Sequence, residues 1–163
     1  MKQKWVGKLE EISKVQWSGE GISLYYSLPS GMKENEIARV GKNLIRQRIP
    51  LEQREIYRED IDAVINAIEQ AGFEERKRGI AAFSCVRDNF LRIIPIQANF
   101  RFTFRPGKQP YFVPLQILLQ QQPEVGCLVI DQKKAWIGEY FLGEAEEIET
   151  LAGSIPRKVK DFG

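Results

Sequence analysis

Gly79-Ile-Ala-Ala-Phe-Ser-Cys-Val86, Arg87-Asp-Asn89 and Phe90-Leu-Arg-Ile-Ile94 follow one another as apolar run, turn and apolar run. The first run is nearly all apolar, so it reads as a central strand. Arg87-Asp-Asn89 supplies turn chemistry, and the pair reads as a hairpin. Upstream lies the charged link Glu74-Glu-Arg-Lys-Arg78, preceded by a helical stripe of Tyr57, Ile61, Val64, Ile65 and Ile68 with Gly72 as its stop. Pro50 separates that helix from an earlier one marked by Ile37, Val40, Leu44 and Ile45, because proline ends a helix running into it but fits the first turn of the next. Earlier still, Ile22-Ser-Leu-Tyr-Tyr-Ser-Leu28 has strand character and ends at Pro29-Ser-Gly31. Trp5, Leu9 and Ile12 recur at helical spacing before the break Ser18-Gly-Glu-Gly21.

Downstream, Phe100, Phe102 and Phe104 alternate with Arg101, Thr103 and Arg105, which on a strand puts three rings on one face and two guanidiniums on the other. Two meanings stay open for the rings: core or interface packing, and stacking on nucleic-acid bases. Pro106-Gly-Lys-Gln-Pro110 has no apolar residue and marks a domain boundary, giving units at 1–108 and 109–163. The second unit reads as a helix over 110–122, a buried strand over 127–131, its hairpin partner over 134–142 and a third strand over 144–151. Three strands and a helix in about 50 residues fall below the size at which one core usually supports itself. The expectation is the front part of a longer protein.

The 163 residues are 43% hydrophobic and 28% charged, as in ordinary folded domains. No apolar run approaches the ~20 residues of a membrane-spanning helix. No secretory signal is visible behind Met1-Lys-Gln-Lys-Trp, and Cys85 and Cys127 each sit in an apolar run as small hydrophobes, so a cytoplasmic protein with no membrane partner is expected. The formal charge of +2 is unevenly spread: residues 1–108 carry 19 Lys+Arg against 14 Asp+Glu, residues 109–163 carry 5 against 8. A polyanion meets the first unit more readily. On the Pro50 helix and the turn before it, Arg46, Arg48, Arg54 and Arg58 are either a solvated, partly ion-paired face or a phosphate-facing ridge.

Histidine is absent. That excludes Ser-His-Asp and Cys-His triads within the chain and histidine-liganded zinc. Two cysteines 42 positions apart make no zinc site either, and neither a metal nor a catalytic constellation is assigned.

Pro110-Tyr-Phe-Val-Pro-Leu115, Cys127-Leu-Val-Ile-Asp131 and Lys133-Lys-Ala-Trp-Ile-Gly-Glu-Tyr-Phe-Leu-Gly-Glu144 resemble the start of the middle domain of the archaeo-eukaryotic peptide-chain release factors and Pelota, most nearly their bacterial relatives. Leu24-Tyr-Tyr-Ser-Leu-Pro29, the paired helices, Arg78-Gly-Ile-Ala-Ala-Phe-Ser84 and Phe90-Leu-Arg-Ile-Ile-Pro95 resemble the N-terminal domain of those bacterial proteins. The resemblance implies an α/β protein overall: an α+β first domain with a mixed sheet and paired helices, then the opening of an RNase H-like α/β middle domain. In that family the middle domain continues into a basic loop bearing Gly-Gly-Gln or a variant, which positions water on the peptidyl-tRNA ester. Arg157, Lys158 and Lys160 resemble the basic approach to that loop and Gly163 its first glycine, but no glutamine follows, so hydrolysis is not assigned to these residues. The resemblance implies tRNA or ribosome as partner, no cofactor, and RNA contact by Arg46, Arg48, Arg54, Arg58, Arg101, Arg105, Arg157, Lys158 and Lys160. The family's Asn-Ile-Lys-Ser and Tyr-x-Cys-x-x-x-Phe stop-codon motifs are missing, and Arg46-Gln-Arg-Ile-Pro50 takes the inter-helix turn, so codon decoding is not expected. The rival expectation is a non-catalytic module whose aromatic strand face meets a second copy or another protein. A nuclease is disfavoured, because Asp131 is the single strand-end carboxylate.

Overall fold

A computed structural model of the chain describes residues 2–29, 32, 34–70, 78–131 and 133–152. Gly72, residues 74–77 of the charged link, and Arg157, Lys158, Lys160 and Gly163 lie outside them. In chain order the elements are α1 (Lys2–Ser13), β1 (Gly21–Ser27), α2 (Glu34–Arg48), α3 (Leu51–Ile56), α4 (Arg58–Gln70), β2 (Gly79–Cys85), a 3-10 turn (Val86–Asp88), β3 (Phe90–Ile96), β4 (Thr103–Gly107), α5 (Val113–Gln121), β5 (Val125–Ile130), β6 (Lys134–Phe141) and β7 (Glu144–Ala152).

The first sheet has the order β3-β2-β1-β4, with β1 and β2 at its centre as their apolar character demands. Alternation sends Ile22, Leu24 and Tyr26 of β1, with Ile80 and Ala82 of β2, onto a core built with Ile37, Ile45, Ile61, Val64 and Ile68 of α2 and α4. Tyr25 of β1 and Ala81, Phe83 and Cys85 of β2 face the other way, onto Trp5 and Leu9 of α1 and Phe112, Leu115 and Leu119 at α5. Two cores on opposite faces explain why these strands carry no charged residue on either face. Each fully buried large side chain contributes roughly 1.5–3 kcal/mol.

The expected α+β class is what the chain adopts, but the strand pairings are antiparallel where a mixed sheet was expected. Two helical passes, α2 and α4, separate β1 from β2. Three reversals, β1 to α2, α2 to α4 and α4 to β2, leave β2 antiparallel to β1, whereas the two reversals around a single crossover helix would have made the pair parallel.

Four local expectations change. The helix after Pro50 is two helices, because Tyr57 leaves helical geometry at φ −105° and ψ 29°. Its hydroxyl donates to Glu20 Oε2 at 2.7 Å and its ring packs on Phe104 at 6.0 Å. The aromatic stripe does not share one face: Ser27 Oγ captures the Phe100 N–H at 2.6 Å, so Phe100 packs on Tyr25 in one core while Phe102 and Phe104 pack on the other. The helix expected from Pro110 starts at Val113, because β1 side chains hold Tyr111 outside it. Ser23 Oγ accepts the Tyr111 N–H at 2.9 Å, and Tyr25 Oη donates to the Tyr111 carbonyl.

The fourth change concerns β5, expected to be buried. Leu128, Val129 and Ile130 are 61%, 60% and 68% exposed. The preceding helix, α5, turns Leu115 and Leu119 onto the first sheet. The second sheet, β5-β6-β7, reaches the first body through the turn after β6, where Phe141 and Leu142 enter the α1/α5 core. Leu142 and Gly143 both take positive φ, 50° and 85°, as a two-residue hairpin of this hand requires. Burial holds leucine in a conformation that side chains avoid.

Candidate nucleic-acid interface

Ile45 and Ile49 of the α2 end are buried, and the Ile49 N–H still bonds the Ile45 carbonyl at 3.1 Å. Pro50 then stops the helix and opens α3, its carbonyl accepting the Arg54 N–H at 3.0 Å. At Tyr57 the chain re-enters a helix, the Ile61 N–H reaching the Tyr57 carbonyl at 2.9 Å. Lys42 bonds Glu69 at 3.1 Å, a cross-link between α2 and α4.

This path creates a groove of about 260 Å³ where the three helices meet. Arg46 enters from α2, Arg54 and Glu55 from α3, and Arg58 and Asp62 from α4, over a floor of Ile61 and Ile65. Arg58 and Asp62 are 3.8 Å apart and largely exposed, a pairing that contributes little. Arg54 is half-buried, and its Nε is shut from solvent without a hydrogen-bond partner. Arg54 and Arg58 come from different helices, on either side of the break at Tyr57. The groove therefore holds three guanidiniums against two carboxylates.

Of the residues expected to contact RNA, three thus meet in one place. Arg48 is exposed at the end of α2 and does not line the groove. Arg101 is exposed just before β4 and Arg105 is exposed on it, where the Arg105 guanidinium lies 5.5 Å from the centre of the Tyr111 ring. A second and larger groove, about 340 Å³, runs between α1 and β3. Its charged residues, Lys8 and Arg92 against Glu11 and Glu144, balance, so it offers an anion no net attraction.

The strand-end Asp131 has a structural task. Its Oδ1 accepts the N–H groups of Lys133 and Lys134 at 2.6 and 2.7 Å, and these bonds hold its carboxyl below the usual value. Among the described residues no group of three or more His, Cys, Asp or Glu could hold a metal ion. Among the same residues no helix is long and apolar enough to cross a membrane.

Two carboxylates escaped sequence reasoning. Asp60 is buried and its Oδ1 accepts both Ser84 Oγ at 2.7 Å and the Val86 N–H at 2.8 Å, tying α4 to the hairpin. The available signal was its register: position 60 stands three after Tyr57 and four before Val64, on the apolar stripe. Asp88 accepts the Ser18 N–H at 2.7 Å and the Ser18 hydroxyl, and no local pattern announces a partner 70 positions away.

No family model and no curated protein matches the chain. Among solved structures it is similar to one described as an archaeal protein, at 16% identity and a TM-score of 0.45, over 98% of this chain and 48% of that one. It is also similar to the crystal structure of the archaeal translation termination factor aRF1, at 17% identity and a TM-score of 0.47, over 95% of this chain and 45% of that one. The chain spans about half the length of these structures.

Proposed function

We propose that this chain is the N-terminal domain (1–108) and the opening of an RNase H-like middle domain (109–163) of a bacterial, cytoplasmic release-factor-like protein that associates with tRNA or ribosomal RNA. The intact protein would act on peptidyl-tRNA through a glycine-rich loop beyond Gly163. The family resemblance of the quoted segments supports this reading. So does the uncovered apolar surface of β5, which has the composition of a strand buried on both faces. The single observation that carries RNA association is the meeting of Arg46, Arg54 and Arg58 in one groove on the more basic part of the chain. The rival reading is less favoured, since Phe100, Phe102 and Phe104 are each partly buried against the chain's own cores and do not form one open aromatic face.

The test is binding of unmodified tRNA by the 163-residue chain, followed by fluorescence anisotropy from 50 to 200 mM KCl. Each phosphate neutralised on a single strand contributes about −0.7 to the slope of log K against log salt. We expect a slope corresponding to several phosphates. Binding that is absent, or indifferent to salt, defeats the proposal.

A further inference from the structure

We infer that the groove between α2, α3 and α4 seats one phosphodiester of an RNA backbone, in preference to a terminal phosphate; this rests on the RNA-binding reading above. The charge of the walls is the first ground. Arg46, Arg54 and Arg58 against Glu55 and Asp62 leave a formal excess of one positive charge. An internal backbone phosphate carries one negative charge and cancels it. A phosphomonoester carries about −1.5 to −2 at neutral pH and would leave negative charge beside two carboxylates.

The state of the arginines is the second ground. Arg54 Nε is buried with no acceptor, so turning its guanidinium fork onto phosphate oxygens sacrifices no hydrogen bond at that atom. Arginine presents its donors in a planar fork that matches two phosphate oxygens. Arg58 is held by Asp62 at 3.8 Å, longer than a good charge-assisted hydrogen bond, and exchanging that partner for a phosphate oxygen costs little. Arg46 comes from a different helix, so the phosphate is gripped from both sides of the α2–α3 turn. The floor of Ile61 and Ile65 is apolar and offers the arginines no competing acceptor.

One seat and a diffuse basic surface differ in additivity. The probe is a short fluorescein-labelled single-stranded RNA, bound by the full 163-residue chain in an anisotropy titration over a series of KCl concentrations. Arg46→Ala and Arg54→Ala should each weaken binding about tenfold and lower the salt slope by about 0.7, one phosphate's share. If both hold the same phosphate, the double variant should lose the same single share. Arg48→Ala, outside the groove, should bind within about twofold of the parent. Far-ultraviolet circular dichroism confirms folding, and Arg54→Lys, which keeps the charge without the fork, should recover only part of the loss. Inorganic phosphate at matched ionic strength should fail to displace the RNA, whereas an unlabelled RNA of the same sequence should succeed.

Equal weakening by Arg48→Ala and Arg54→Ala, or a double variant that loses two shares, overturns the seat while leaving RNA association standing. Displacement by inorganic phosphate at matched ionic strength overturns the preference for a diester. If the unaltered chain shows no salt-dependent RNA binding, the functional reading itself fails and the seat fails with it.

Discussion

Asp60 and Asp88 show how single carboxylates fix the hairpin on which the first sheet depends. Asp60 serves two donors from a buried position, so Asp60→Ala strands the Ser84 hydroxyl and the Val86 N–H together. A loss of about 2–3 kcal/mol in urea denaturation is expected, and a loss under about 0.5 kcal/mol would refute the role. Asp88 is exposed, and hydrogen bonds from the Ser18 hydroxyl and N–H hold its carboxyl below its ordinary 3.8. A folded-state value below the unfolded one means that its contribution is complete above the unfolded value and is lost as pH falls through the folded one. Asp88→Asn should therefore flatten part of the fall in melting temperature that the parent shows below about pH 4. An unchanged profile in the variant would assign that fall to other carboxylates. Tyr57 moves oppositely: its bond to Glu20 raises the hydroxyl above 10.0, so what it contributes persists at neutral pH and is lost only in strong alkali.

The elements divide into those that periodicity locates and those that a partner element redraws. α1, α2, β1 and the β2–β3 hairpin fall where their apolar spacing puts them, because each buries a face that its own sequence defines. The Pro50 helix breaks at Tyr57 because Glu20 and Phe104, distant in sequence, draw that side chain away. α5 starts late because Ser23 and Tyr25 of β1 occupy the backbone of Tyr111. The same kind of capture splits the Phe100, Phe102 and Phe104 stripe, since Ser27 fixes the Phe100 backbone. Period two holds only while the chain remains a strand, and β4 begins at Thr103. For the candidate site, residue types were legible and their meeting was not. Arg54 and Arg58 are adjacent by helical spacing, but only the turn at Pro50 sets Arg46 across from them and leaves Arg48 outside.

Across the whole molecule, stability is concentrated in the first sheet and its two cores. Phe83 is fully buried on the α1/α5 side against Phe112 and Tyr25, so Phe83→Ala should cost about 3–5 kcal/mol. Leu128→Ser and Ile130→Ser, on the open surface of β5, should each change stability by less than about 0.5 kcal/mol. Urea denaturation of the three variants checks the contrast, and a large cost at Leu128 would mean that β5 is covered in solution. Local sequence settles what neighbouring residues can settle: the α+β class, the helix stripes, the turns and the nearly all-apolar central strand β2 follow from side-chain spacing and backbone preference within a few positions. Which face of α5 is spent on the first sheet, whether β5 is covered, which rings enter which core and which arginines share a groove depend on elements far apart in the chain. Those outcomes follow from competition among distant surfaces for the same buried space, and no single segment carries the information.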